Sequence, residues 1–223
     1  MNGSTTITTA ATANRINTHT FQRSGRRVAS RLVLAACLAA AAALSAPAPS
    51  PAAGEPAPTP VPANLEVPSG NVVFHVAHAL GTQNYLCLPR TSGTGLGWTF
   101  IGPQATLFDA ELEQVMTHFL SVNPADGVAR ATWQDSRDSS AVWAAAIASS
   151  TDPSYVTPGA IPWLLLQVKG AAAGPDGGDR MTKTTYIQRV NTVEGSAPAG
   201  DCPSVGARAF VPYATDYVFY RAR

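Results

Sequence analysis

Apolar residues alternate with polar ones along most of the chain between residues 65 and 223. A period of two places successive side chains on opposite faces of a strand, whereas a helix gives a period of about 3.6 residues. Clusters of Gly, Pro, Asn and Asp separate the alternating runs, as turns separate strands. The pattern predicts about ten short strands, at residues 71–77, 82–88, 97–101, 105–108, 115–122, 129–134, 141–148, 163–169, 181–190 and 213–221.

These strands follow one another without helical crossovers, so we expect them to pair in antiparallel fashion. About ten short strands in one domain fit a single antiparallel β-sandwich or a closed barrel, and the sandwich is slightly favoured. Two runs are ambiguous. The segment AVWAAAIA at residues 141–148 also suits two helical turns, and residues 111–119 fit either structure. The overall expectation is an all-β domain.

Arginines precede an apolar run from Leu32 to Leu44, and small residues and prolines follow it. Such a run is too short to span a bilayer and is typical of a secretory signal peptide, which we place at residues 1–46. Translation that begins further in would explain the Thr- and Asn-rich first 22 residues, which are unlike an export segment. A second interpretation is a lipoprotein cleavage site that leaves an acylated Cys37. Either way, the protein is expected to be exported, to an extracellular, periplasmic or cell-surface location.

A proline-rich segment follows the predicted signal peptide, with seven prolines in the sixteen residues 47–62. This composition favours extended polyproline II structure and provides no core. We therefore predict a disordered spacer at residues 47–64 and a β-domain at residues 65–223.

Removal of the signal peptide leaves ten basic and fourteen acidic residues, a net charge of −4. A mildly acidic protein lacks the basic footprint that nucleic-acid binding requires. We expect no nucleic-acid partner and no transmembrane span in the mature chain.

Two cysteines, Cys87 and Cys202, remain once Cys37 is removed. In an oxidising compartment two cysteines are expected to form a disulfide. A nucleophilic Cys87 would need a neighbouring base, and a zinc site would need more Cys or His ligands. The disulfide is therefore the preferred interpretation, and it would connect the first strands to the last.

Several stretches resemble a domain-of-unknown-function family, number 3455, found in secreted bacterial and fungal proteins. They include GTQNYLC at residues 81–87, WTF at 98–100, GPQATL at 102–107, AIPWLLL at 160–166, IQRVNT at 187–192 and VPYATDYVFY at 211–220. The resemblance covers nearly all of the mature domain. It implies export and a single domain, and it brings no catalytic or binding residues.

Motifs for enzymatic chemistry are scarce. The sequence GTGLG at residues 93–97 lies between two predicted strands, where a dinucleotide site would need a strand and then a helix. His75 and His78 are three residues apart, a spacing that puts them on opposite faces of a continuous strand, so they could bind the same metal only if the strand bends between them. We predict no cofactor and no metal. The candidate polar site consists of His118, Asp138 and Arg189.

Two functions are open at this point. The preferred one is a non-enzymatic binding or envelope-associated module whose partner is a small ligand or an envelope component. The alternative is a secreted hydrolase with an Asp/His site, since Asp and His can supply a general acid and base. Convergence of His118, Asp138 and Arg189 in one concavity would favour the hydrolase.

Trp163 begins the apolar run WLLL, so we expect it to be buried and structural.

Overall fold

Eight antiparallel strands form a closed barrel in the computed structural model, which describes residues 59–223. Each strand pairs with the next along the chain, and the last pairs with the first. The prediction of an all-β fold is confirmed, in its closed-barrel form. The strands are β1 (Asn71–Pro89), β2 (Leu96–Phe108), β3 (Gln114–Val122), β4 (Ala129–Asp135), β5 (Ala141–Ser150), β6 (Trp163–Ala172), β7 (Thr184–Glu194) and β8 (Arg208–Ala222).

The barrel has eight strands rather than ten because β1 and β2 each join two predicted strands. Gly81 does not break β1. It lies so close to β2 that a Cβ would overlap the backbone of Gln104 and Ala105. In β2, Gly102 has a φ of 132° next to a bulge in the pairing with β1. Pro103 is tolerated because β2 pairs with β3 only from Gln104 onward, and a proline can occupy such an edge position.

The loops divide between two ends of the barrel. At the upper end lie the connections β1–β2, β3–β4, β5–β6 and β7–β8, and at the lower end lie the other three connections. Alternate side chains of every strand point inward. The inner core contains large side chains such as Leu107, Trp133, Ile187 and Phe219, all buried.

A second apolar cluster lies on the outer face of the barrel, on β6, β7 and β8. Leu65, in the short 3-10 helix Ala63–Leu65, is buried in this cluster together with Trp163. Gln188 Nε2 donates to the Leu65 carbonyl at 2.7 Å, and Tyr220 Oη donates to Gln188 Oε1 at 2.6 Å. These contacts cover the outer face of β6, which explains why the run WLLL has no polar alternation. The packed segment overlaps the C-terminal end of the predicted spacer.

The disulfide between Cys87 and Cys202 is present, with a Cα–Cα distance of 5.7 Å. It joins the upper end of β1 to the β7–β8 loop. The Cys87 N–H also donates to the Ala207 carbonyl at 2.8 Å, and the Gly206 N–H donates to the Cys87 carbonyl at 2.9 Å. The prediction of a structural disulfide is therefore confirmed.

The predicted signal peptide and residues 47–58 of the predicted spacer lie outside the described residues. Within residues 59–223, no helix is long and apolar enough to cross a membrane.

Candidate ligand-binding site

A cavity of about 280 Å³ lies inside the upper half of the barrel. Its wall is mostly apolar, with a few polar side chains set among small residues. The lining residues are Gln83, Phe100, Pro103, His118, Leu120, Ala129, Arg130, Ala131, Trp133, Ala144, Ala145, Ala146, Leu164, Leu166, Arg189 and Tyr217. We call this space the upper cavity.

Alanines create the upper cavity. Ala131 on β4 is the register partner of Ala144 on β5, and both line the space. Ala146, the register partner of Leu166, lines it as well. Large residues at these inward positions would fill the barrel, as Trp133 and Phe219 do further down. The alanine-rich sequence of β5 therefore has a structural consequence, which is an incompletely filled barrel.

The mouth of the upper cavity lies where β2 and β3 separate. Their pairing ends at Gln104 and Phe119, so the remaining part of each strand pairs only with its other neighbour. Phe100 and Leu120 line the cavity on either side of this gap, and they are 48% and 45% exposed. Two half-exposed apolar side chains thus flank an opening that leads to a buried interior.

Three buried polar atoms of the cavity wall make no well-formed hydrogen bond within the described residues, although Gln83 and Tyr217 lie near the Tyr213 hydroxyl and Tyr217 also lies near Arg189. They are Gln83 Nε2, Trp133 Nε1 and the Tyr217 hydroxyl. The three side chains are 1–2% exposed. Buried polar groups in folded proteins are nearly always paired, and an unpaired one costs about 1–3 kcal/mol. Three such atoms at one cavity indicate that a ligand or ordered water completes their hydrogen bonding.

His118 forms part of the cavity wall and is neutral. Its ring stacks on Trp133, with centroids 4.2 Å apart, and Nδ1 lies 2.8 Å from the Thr132 carbonyl. Burial lowers the pKa of His118 to about 3, although the hydrogen bond to Thr132 acts in the opposite direction. A neutral imidazole must donate through Nδ1 to that carbonyl, so Nε2 is left as an acceptor. His118 is therefore a weak base held in one orientation.

Arg189 supplies the positive charge of the cavity. It lies on the same face of β7 as the core residue Ile187, between its register partners Leu164 on β6 and Tyr217 on β8. Nε and Nη2 donate to the Pro162 carbonyl at 3.1 and 2.8 Å. None of the ion pairs between described residues includes Arg189. This guanidinium is anchored, partly buried and without a carboxylate partner.

Of the three predicted site residues, the structure brings two together. His118 and Arg189 line the upper cavity, whereas Asp138 lies in the β4–β5 loop at the lower end. Asp138 accepts hydrogen bonds from the Ser140 hydroxyl at 2.6 Å and from the Arg180 N–H at 3.0 Å. Burial raises the pKa of Asp138, but these hydrogen bonds outweigh it and lower the pKa overall. Its contacts are those of a loop-organising residue.

The two histidines of β1 face different environments. His75 lines a small concavity of about 170 Å³ at the lower end, and burial lowers its pKa. His78 is on the outer face, with Nδ1 2.6 Å from Asp216 Oδ1. Among residues 59–223, no three His, Cys, Asp or Glu side chains are grouped to hold a metal ion.

Sequence reasoning did not select Gln83, Trp133 or Tyr217 as site residues. All three are inward-facing, a position that alternation along their strands reveals. What alternation does not reveal is that the space beside them is unfilled. The available signal was the set of alanines on β4 and β5.

A larger concavity, of about 710 Å³, is an open groove on the outer wall over β1, β2 and β3. Its lining includes exposed residues such as Leu80 and Gln104. The groove contains none of the buried, unpartnered polar atoms found among the described residues. The upper cavity is therefore the better candidate for a specific site.

A closed antiparallel barrel with a partly polar internal cavity defines the structural class of this protein. The chain belongs to the family described as "Protein of unknown function (DUF3455)", whose profile matches residues 68–221. The family expected from the sequence motifs is thus confirmed. Comparisons with curated proteins and with solved structures found no match.

Proposed function

We propose that this protein is an exported, non-enzymatic binding protein that holds a small molecule in the upper cavity. The observation that carries the proposal is the group of three buried, unpartnered polar atoms, on Gln83, Trp133 and Tyr217, at an otherwise apolar wall. Ligand pockets typically combine an apolar lining with a few oriented polar groups, and the mouths of β-barrels are common places for them.

The hydrolase alternative has less support from the composition of the cavity. No Asp or Glu is among the described residues that line it. A general base works best with a pKa near the operating pH, whereas burial lowers the pKa of His118 to about 3. Neither an acid nor an efficient base is therefore positioned for hydrolysis. The same features suit a pocket that binds without reacting.

Binding can be tested with small aromatic probes and nuclear magnetic resonance. Indole, 3-phenylpropanamide and 3-phenylpropanoate would be titrated into nitrogen-15-labelled protein with its disulfide intact. We expect at least one probe to shift the indole N–H signal of Trp133, which is assigned by its loss in Trp133→Phe. The variant Ala131→Phe should abolish the shift, because the added ring occupies the cavity.

A matched control places the same ring on the outer wall. Gln104→Phe changes an exposed residue of the outer groove and should leave probe binding unchanged. Loss of binding in this variant but not in Ala131→Phe would move the site to the groove. If none of the probes shifted the Trp133 signal, ordered water alone would account for the unpartnered atoms and the proposal would fail.

Export has its own experiment, the intact mass of the secreted protein. The residues ALSA at 43–46 supply small side chains at the end of the apolar run, so the mature chain is expected to begin near Pro47. A mass that begins at a diacylated Cys37 would instead establish a lipoprotein. Retention of the chain inside the cell at full length would contradict export altogether.

A further inference from the structure

We infer that the ligand of the upper cavity is a small organic monocarboxylate, with its charged end on Arg189 and its apolar body against the alanine-lined wall. The inference rests on the proposed function, because it names the class of molecule that the same cavity binds. Four features of the cavity carry it: an uncompensated charge, neutral neighbours, available donors and a limited volume.

The first feature is the charge of Arg189. A guanidinium remains protonated in proteins, and partial removal of a charge from water is unfavourable unless another charge compensates for it. No carboxylate lines the cavity in the described part of the chain, and no ion pair there includes Arg189. Its hydrogen bonds to the Pro162 carbonyl use Nε and Nη2, and the guanidinium also lies beside the Tyr217 hydroxyl, whose pKa it acts to lower against the effect of burial. An anionic ligand would supply the missing charge.

Neighbouring side chains do not neutralise this charge. Burial raises the pKa of Tyr217, so the phenol keeps its proton at neutral pH. Burial also raises the pKa of Tyr213, and the nearby Tyr217 hydroxyl adds to this effect. The imidazole of His118 is neutral as well. The positive charge of Arg189 is close enough to these groups to oppose protonation of His118 and to favour ionisation of both tyrosines. The environment of Arg189 is thus polar but uncharged.

Arg130 provides the contrast within the same wall. It lines the cavity, yet its Nη2 lies 2.6 Å from Asp126 Oδ2, four residues earlier in the β3–β4 loop. The charge of Arg130 is therefore compensated by the protein itself. Of the two arginines in the cavity wall, only Arg189 needs a partner from outside.

The balance of charge and donors favours a carboxylate. A monoanion cancels the single charge of Arg189, whereas a phosphate dianion would leave a negative charge in an apolar cavity. A planar carboxylate also matches the fork of a guanidinium. Gln83 Nε2, Trp133 Nε1 and the Tyr217 hydroxyl are further donors that make no well-formed hydrogen bond among the described residues. A ligand group that pairs with several donors must accept hydrogen bonds, and the oxygens of a carboxylate only accept them.

The volume limits the apolar part of the ligand. A cavity of about 150 Å³ accommodates benzene in an engineered protein, and the upper cavity is about 280 Å³. It suits one ring with a short acidic chain, or an unbranched acid of medium length. Ala144, Ala146 and Leu166 form the apolar wall for that part of the molecule.

The test compares 3-phenylpropanoate with 3-phenylpropanamide, a neutral compound of nearly the same shape. Calorimetric titration at pH 7 should give the acid an affinity about 10- to 100-fold higher, as expected for charge-assisted hydrogen bonds. Arg189→Met should remove this preference, and Arg189→Lys should restore only part of it because the fork is lost. Arg90→Met, which removes an ion-paired guanidinium that does not line the cavity, should retain the preference of the parent. Phenyl phosphate should bind more weakly than the acid.

The outcomes separate this inference from the proposed function. Equal affinities for the acid and the amide, with binding still lost in Ala131→Phe, would overturn the carboxylate inference and leave cavity binding intact. Tighter binding of phenyl phosphate, or an acid preference that survives Arg189→Met, would overturn it too. Since the comparison of acid with amide uses the unaltered protein, it remains decisive even if Arg189→Met does not fold.

Discussion

The neutral, buried imidazole of His118 should make the stability of the barrel depend on pH. Its pKa is lowered by burial from 6.5 to about 3, and its side chain is 3% exposed. Between these two pH values the unfolded chain binds a proton at His118 and the folded chain does not. Stability must therefore rise with pH in this window and fall on acidification. The contribution is fully present above pH 6.5 and is lost progressively as the pH falls towards 3.

The magnitude follows from the size of the shift. One pKa unit corresponds to about 1.36 kcal/mol, so acidification from pH 8 to pH 4.5, two units below the unfolded pKa, should cost about 2.7 kcal/mol through His118 alone. Other groups add their own pH dependence, which cancels in a comparison with His118→Gln. The glutamine amide can donate to the Thr132 carbonyl as Nδ1 does, but it does not titrate. The variant will be less stable at neutral pH because the stacking on Trp133 is lost.

The assay is urea unfolding followed by tryptophan fluorescence at several pH values between 4.5 and 8. Above pH 7, the free energies of unfolding of parent and variant should run parallel, which serves as the internal control. Below pH 6, the difference between them should shrink by about 1.4 kcal/mol per pH unit. Curves that stay parallel down to pH 4.5 would refute the reasoning, because they would mean that folded His118 is protonated as readily as an exposed histidine.

Three further predictions concern the packing and cross-linking of the barrel, and each is measured by urea unfolding. Gly81→Ala should destabilise the protein by at least about 3 kcal/mol, because the new Cβ overlaps the backbone of β2. The control is Leu80→Ala at the neighbouring residue, which is 59% exposed and should change stability by less than about 0.5 kcal/mol. Replacing Cys87 and Cys202 by serine should cost about 4 to 5 kcal/mol, as the chain-entropy model gives for a bridge between residues 115 apart, and an unchanged midpoint would contradict it. Trp163→Ala should cost about 3 to 5 kcal/mol, and an unaffected urea midpoint would show that its burial in the outer cluster contributes little.

Alternation was sufficient to predict the class of fold because it reports directly which side chains share a face. It did not predict strand number, since Gly81 and Gly102-Pro103 have the composition of turns. Whether such residues end a strand depends on the strand beside them. Gly81 is needed for the close approach of β2, and Gly102 accompanies a bulge. Both causes are contacts between segments distant in sequence, which local propensity does not contain.

The disulfide was predictable for a different reason. Only two cysteines remain after the predicted signal peptide is removed, so one pairing is possible and no knowledge of the fold was needed to predict it. The candidate site was only partly predictable by comparison. His118 and Arg189 were selected as polar residues of unknown position, and the structure places them at one cavity, while Asp138 is at the other end of the barrel. His118, Asp138 and Arg189 are far apart in sequence, and the sequence does not show which of them lie close together in the fold.

Arg189 illustrates what a sequence does not state about a charge. An arginine on a β-strand usually faces solvent or pairs with a carboxylate on a neighbouring strand. The register partners of Arg189 are Leu164 and Tyr217, and neither is a carboxylate. Asp216, one residue from Tyr217, faces the outside, where it accepts a hydrogen bond from Asn191 at 2.7 Å and contacts His78. A one-residue difference in register thus separates Arg189 from the carboxylate of Asp216 on the neighbouring strand, and local propensity does not contain that register.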